Sequence, residues 1–187
     1  MPRRLLSLVA VALIALLGAS GCADDLSPAA RVGDLTISRD DLMEEAAEWA
    51  GNPQTARAGT LAVGEHAYAT EPVSQILTER IILDVLGQEF DRRGLEPASR
   101  EDALLAIGVD PSQEDQAFGG FSDEYAEAYV NAYAKGLAVQ SALGDDFGPF
   151  MTDALAHVEI DPRFGSWDAT NLSVVPPTSP GPPADGS

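Results

Sequence analysis

The sequence predicts a mainly α-helical domain of four to five helices with a small β element. Three observations carry this expectation. Residues 71–93 and 122–143 keep apolar side chains at three- and four-residue steps between helix start and stop signals. Only short segments, near residues 32–37 and 157–160, turn or alternate as strands do. The chain has 187 residues, 45% hydrophobic and 22% charged, which suits one domain with an ordinary core and short appendages.

Residues 1–21 read as a secretory signal peptide. Arg3 and Arg4 give a positive start, residues 5–17 an apolar run broken only by Ser7, and residues 18–21 are small. Such a run spans about 20 Å as a helix, short of the ~30 Å hydrocarbon core of a bilayer. Ala19-Ser20-Gly21-Cys22 resembles a bacterial lipobox, in which the cysteine thiol takes a diacylglycerol in thioether linkage. Cys22 is the only cysteine, so no internal disulfide and no cysteine-based zinc site is expected. The alternative is ordinary cleavage near Gly21 or Ala23, leaving Cys22 a free thiol. Acyl chains such as palmitate contribute about 0.8 kcal/mol per buried CH₂, so two or three anchor stably.

The whole chain has 11 basic and 30 acidic residues, a formal charge of −19. Cleavage removes two arginines and no acid, leaving −21. This surface excludes nucleic acid as a partner, because phosphate binding needs a basic patch. It is also repelled by an anionic membrane surface, so the tether, residues 22–30, is expected to hold the body off the membrane. The domain itself is expected over residues 31–172 and a disordered tail over residues 173–187.

Within the domain, Gly33-Asp34 is a turn between short apolar runs. Ser38 with Asp41 resembles a capping box, opening a helix to about residue 50. Leu42, Ala46 and Trp49 share one of its faces, and Asp40, Asp41, Glu44 and Glu45 complement its N-terminal dipole. Gly51-Asn52-Pro53 stops it, and residues 51–71 lack a period and read as a loop. Glu71-Pro72 opens the strongest helix, with Val73, Ile76, Leu77, Ile81, Val85 and Leu86 on its apolar face and Gly94 as a left-handed C-cap. Ser99 and Asp102 start a short helix that ends near Gly108. Residues 109–120 are acidic and turn-rich. Ser122 caps a helix to Leu143, with Phe121, Tyr125, Tyr129, Tyr133 and Leu137 in a stripe. A short helix over residues 147–156 and a strand over residues 157–160 follow. Residues 161–168 read as turn chemistry holding Phe164 and Trp167. From Pro176 the chain is proline-rich and lacks the residues to bury a core.

The side chains offer no catalytic constellation. His66 lies in a polar loop and His157 opens a strand; neither has the neighbours of a positioned base, and both read as structural or solvated. The acidic pairs lack the loop spacing of a calcium hand and read as a solvated face. Gly119-Gly120 lacks the lysine of a phosphate loop. No catalytic residue, metal or cofactor is expected. The tyrosine stripe has two readings: helix core with hydroxyls at the rim, or a partly exposed groove that holds apolar peptide segments. Trp49 has the same choice.

Two stretches carry a family resemblance. Val32-Gly33-Asp34-Leu35-Thr36-Ile37-Ser38 leads directly into an acidic amphipathic helix. Leu77-Thr78-Glu79-Arg80-Ile81-Ile82-Leu83 continues to Phe90-Asp91-Arg92-Arg93-Gly94-Leu95-Glu96-Pro97-Ala98-Ser99. Together they resemble the N-terminal chaperone region of SurA-type and PrsA-type foldases, over roughly residues 30–145. Residues 158–168 are similar to the ending of secreted lipoproteins of this type, where a last strand returns to the domain. The resemblance implies a two-stranded element joining the N- and C-terminal ends, with residues 35–37 and 158–160 as partners. It implies a lipid-anchored, extracytoplasmic chaperone-like domain that binds unfolded secreted proteins without ATP. Trp49, Tyr125, Tyr129 and Tyr133 are its candidate peptide contacts. No room remains for the parvulin-type isomerase domain that such foldases often carry. A diverged peptidyl-prolyl isomerase, or a scaffold lipoprotein with one specific partner, are the alternatives.

Overall fold

The structure is a computed structural model and describes residues 27–52, 62–64 and 67–178. The signal peptide, Cys22, most of the tether, His66 and residues 179–187 of the tail lie outside the described residues. The fold is mainly helical, as the sequence predicts, with small antiparallel sheets.

Strands β1 (Ala30–Val32) and β2 (Leu35–Ile37) form a hairpin around Gly33-Asp34. Helix α1 (Arg39–Gly51) follows, capped as its sequence indicates: Asp41 N–H donates to Ser38 Oγ at 3.0 Å. Strands β3 (Ala62–Gly64) and β4 (Ala67–Tyr68) pair within the region the sequence left as a loop. Ala62-Val63-Gly64 and Ala67-Tyr68 show no alternation of apolar and polar residues, so the pattern gives no strand there.

Helix α2 (Thr70–Arg93) is the axis of the domain. Its 24 residues are about 36 Å long. It ends at Gly94, whose φ of 62° is the left-handed C-cap that glycine adopts without steric cost. Helix α3 (Arg100–Ile107) is capped by Ser99. Residues 109–120, expected as irregular, contain a 3₁₀ turn (Pro111–Gln113) and a short helical turn (Glu114–Phe118). Helix α4 (Asp123–Leu143) is capped by Ser122, and α5 (Phe147–Ala154) follows. Strands β5 (Val158–Ile160), β6 (Ser166–Asp168) and β7 (Ser173–Val175) complete the chain.

The N- and C-terminal ends are joined by a sheet, but it has three strands in the order β2-β1-β5. Leu35–Ile37 and Val158–Ile160 therefore do not pair with each other; each pairs with Ala30–Val32 between them. Three strands bury what two this short could not. The sheet extends one residue further, because Ala29 N–H donates to the Ile37 carbonyl and Asp161 N–H to the Ala29 carbonyl. Ala29 and Ala30 are 0% and 1% exposed, so the end of the expected tether belongs to the core.

The C-terminal boundary shifts in the same way. β6 and β7 form a hairpin where turn chemistry and tail were expected. Thr78 Oγ1 on α2 accepts from Val174 N–H, and Ser74 Oγ–H donates to the Phe164 carbonyl. Val174 is buried in the main core, and Trp167 Nε1–H donates to the Leu155 carbonyl at 2.9 Å. Gly165, at a φ of 128°, turns the chain into β6 so closely that a Cβ would meet the Val175 carbonyl. The folded part thus reaches at least Val175. The main core gathers residues from the sheet, α1, α2, α4 and α5 around α2, and a second cluster lies between α3 and α4.

Candidate functional site

The residues singled out from the sequence meet where α1, α2 and α4 come together. Along α4, Tyr125, Tyr129 and Tyr133 stand one above the other, with ring centroids 5.8 and 5.2 Å apart. The i, i+4 spacing dictates this arrangement. Trp49, from the last turn of α1, meets Tyr129 edge-on at 5.8 Å and Phe121 at 5.1 Å. These are the T-shaped geometries that aromatic quadrupoles favour.

Each polar tip turns inward to a carboxylate or a phenol. Trp49 Nε1–H donates to Tyr125 Oη at 2.6 Å, and Tyr125 Oη–H donates to Glu45 Oε1 at 2.9 Å. The Tyr129 and Tyr133 hydroxyls both donate to Glu79 Oε1, each at 2.5 Å. Glu45 is nearly buried, and burial raises its pKa; the Tyr125 hydroxyl and the Arg80 guanidinium oppose that rise. Burial also pushes the Tyr125 and Tyr129 phenols well up, and the neighbouring carboxylates Glu45 and Glu79 add to it. These phenols stay protonated donors. Arg80 bridges Asp84 on its own helix and Glu45 on α1.

The cluster corrects the groove reading of the stripe along most of its length. Tyr129 is buried, Trp49 and Tyr125 are half-buried, and their rings pack on one another. Three desolvated ring systems need partners for their polar atoms, and Glu45 and Glu79 supply them from within. Glu48 adds a tie of the same kind: it accepts from Ser122 N–H and Oγ–H, holding the N-terminus of α4 against α1.

Tyr133 differs. It stands at the edge of a groove of about 430 Å³ between α2 and α4. Ile82 and Leu83 of α2, Leu137 of α4 and Phe147 of α5 supply most of its apolar wall. The two helices approach closely at Gly136, where an added Cβ would meet Leu86 Cδ1 at 3.2 Å. Among the described residues, Glu79 is the only charged side chain lining the groove. Three other concavities carry three or four charged side chains each. On the adjoining helix α3, Ala106 lines the groove, and its neighbour Leu105 is 57% exposed.

Sequence reasoning placed Tyr133 and Leu137 correctly on one stripe but missed the opposing wall. The signal was present in Ile81-Ile82-Leu83. Three consecutive helical residues span about 200°, so they cannot share one face. Ile81 is fully buried, whereas Ile82 and Leu83 turn toward the groove.

Comparisons with protein-family models, with curated proteins and with solved structures find no match for the chain. Among the described residues no group of three or more histidine, cysteine, aspartate or glutamate side chains could hold a metal ion. None of the described helices is long and apolar enough to cross a membrane.

Proposed function

We propose that the protein is a lipid-anchored, extracytoplasmic chaperone-like domain that holds apolar segments of unfolded secreted proteins in the α2–α4 groove. One observation carries this reading. In a body that is −21 after signal cleavage, the groove is almost uncharged and apolar-walled, and its ≈430 Å³ lies within the ~300–1,000 Å³ of ordinary ligand sites. Binding of this kind is a difference in affinity for exposed apolar chain, so neither ATP nor a reacting side chain is needed. The signal-like segment and Cys22 support membrane attachment, and the SurA-type and PrsA-type resemblance supports the client class. The client site moves from Trp49, Tyr125 and Tyr129, which are packed inward, to Ile82, Leu83, Leu137 and Phe147, with Tyr133 at the edge.

The test is suppression of aggregation of several unrelated unfolded proteins by the wild type and by Leu137→Glu. A glutamate there puts an ionised group into the apolar wall, two turns from Tyr129 and away from Trp49. The reading expects suppression by the wild type and its loss in a variant with unchanged far-UV circular dichroism. Equal suppression by a folded variant overturns it. Suppression for a single protein only replaces it with the scaffold reading.

A further inference from the structure

We infer that the α2–α4 groove is occupied in the resting protein by the chain's own proline-rich segment, Pro182-Pro183-Ala184, which a client must displace. This inference rests on the groove being the client site and gives that site a built-in competitor.

The first support is where the chain leaves the fold. β7 packs on α2, and Thr78, whose Oγ1 accepts from Val174 N–H at 2.9 Å, also lines the groove. One residue on, the Val175 carbonyl closely backs Gly165, and the neighbouring Phe164 carbonyl accepts from Ser74 Oγ–H. β7 therefore runs from Thr78 toward Ser74 and ends beside Gln75, the first α2 residue of the groove. Val175 is 45% exposed there, and half-buried Pro176 and Pro177 carry the chain on.

The second support is reach. Ile82, in the α2 wall, stands eight residues beyond Ser74, about 12 Å along the helix. The six residues between Val175 and Pro182 span at most about 20 Å. They end in Ser179-Pro180-Gly181, turn chemistry that reverses the direction of β7. The segment thus reaches the wall with slack. A connection this short holds it at an effective concentration on the order of millimolar, so even a weak contact is well populated.

The third support is chemical match. Residues 169–184 carry no charge, so the −21 body does not repel them. Proline has no N–H, and burying Pro182 and Pro183 leaves no backbone donor unpaired. Their carbonyls still need donors, and the carboxamides of Gln75 on α2 and Gln140 on α4, both exposed, line the same groove. Proline rings pack on aromatic and apolar walls, supplied here by Phe147, Ile82 and Leu137. A proline-rich segment is already extended before it docks, so little entropy is lost. A client with larger apolar anchors buries more surface and displaces it, whereas a segment with one weak anchor does not.

The experiment measures anisotropy of one fluorescein-labelled, uncharged peptide on three forms of the mature protein. The peptide has a five-residue core of leucine, alanine and phenylalanine flanked by serines. The forms are the full chain, a chain ending at Thr178, and the full chain with Pro180→Ser, Pro182→Ser and Pro183→Ser. The shortened chain keeps every described strand and helix, and the serine variant keeps length and charge, Asp185 included. The inference expects the shortened chain and the serine variant both to bind the probe about threefold to tenfold more tightly than the full chain. An unlabelled peptide of residues 176–187 at millimolar concentration should then displace the probe from the shortened chain. Equal affinity in all three forms overturns the inference and leaves the groove reading standing. Tighter binding in the shortened chain alone, with the serine variant matching the full chain, overturns the proline segment as the occupant. Failure of the probe to bind any form overturns the groove reading itself.

Discussion

Glu89, in the last turns of α2, sets a sharp expectation for acid stability. Its side chain is only 7% exposed and is gripped by two arginines of the same helix. Arg92 donates through Nε and Nη2, both at 2.6 Å, and Arg93 through Nε. The Arg92 hydrogen bonds hold the carboxyl far below its usual 4.5, at about 2, and Arg93 adds to this against the cost of burial. A carboxylate with a depressed folded pKa stabilises the protein above the unfolded value, and that stability is lost as pH falls through the folded one. The window here runs from 4.5 down to about 2. At about 1.36 kcal/mol per pKa unit the upper bound is about 3 kcal/mol, and solvent screening at the Arg92 side leaves about 1–2 kcal/mol. Glu89→Gln preserves the shape and removes the charge. Urea unfolding followed by tryptophan fluorescence should show the variant about 1–2 kcal/mol less stable at pH 7, with the difference from wild type vanishing near pH 2. Two curves that fall in parallel between pH 5 and pH 2 would refute the argument, because the acid-sensitive stability would then lie elsewhere.

Three further expectations follow, two from the packing and one from the lipobox resemblance. Trp167→Ala removes a half-buried ring and its hydrogen bond to the Leu155 carbonyl, and should cost about 3 kcal/mol in chemical denaturation; a cost under about 0.5 kcal/mol would mean the ring is a surface residue. Gly165→Ala drives a Cβ toward the Val175 carbonyl at a φ of 128° and should lower the melting temperature more than Gly148→Ala, where an added Cβ meets nothing. Cys22→Ser should release the protein from the membrane fraction and change the mature mass, as the lipobox resemblance requires; an unchanged fraction and mass would remove the lipid anchor.

The helices were legible in the sequence because each has a local signal. Ser38, Ser99 and Ser122 all cap the helices they precede, and Gly94 ends the longest. Among the short strands, β2 and β5 show in a Gly-Asp turn and an alternating run, whereas β3, β4, β6 and β7 carry no such signal and escaped notice. The sheet order was also hidden, since nothing local distinguishes Ala30–Val32 as the strand between Leu35–Ile37 and Val158–Ile160. At the site, the tyrosine stripe could be read from its spacing, but its direction could not. Whether Tyr125 and Tyr129 face solvent or core depends on Glu45 and Glu79, which come from other helices and meet the phenols only after folding. The groove was missed for the same reason. Its wall combines Ile82, Leu137 and Phe147 from three helices, and only tertiary packing brings them to one concavity.

The central claim is that unfolded clients sit between α2 and α4. It is tested most directly with a photoreactive benzoylphenylalanine placed, one site at a time, at Leu137 in the groove and at exposed Glu159 in the concavity lined by Arg31 and Arg163 at the terminal sheet. Each folded variant is irradiated with an unfolded client protein. The account predicts crosslinks from position 137, competed away by an excess of a second, unrelated unfolded protein, and few from position 159. Equal crosslinking from both positions, or none from 137 while the wild type still suppresses aggregation, would contradict it.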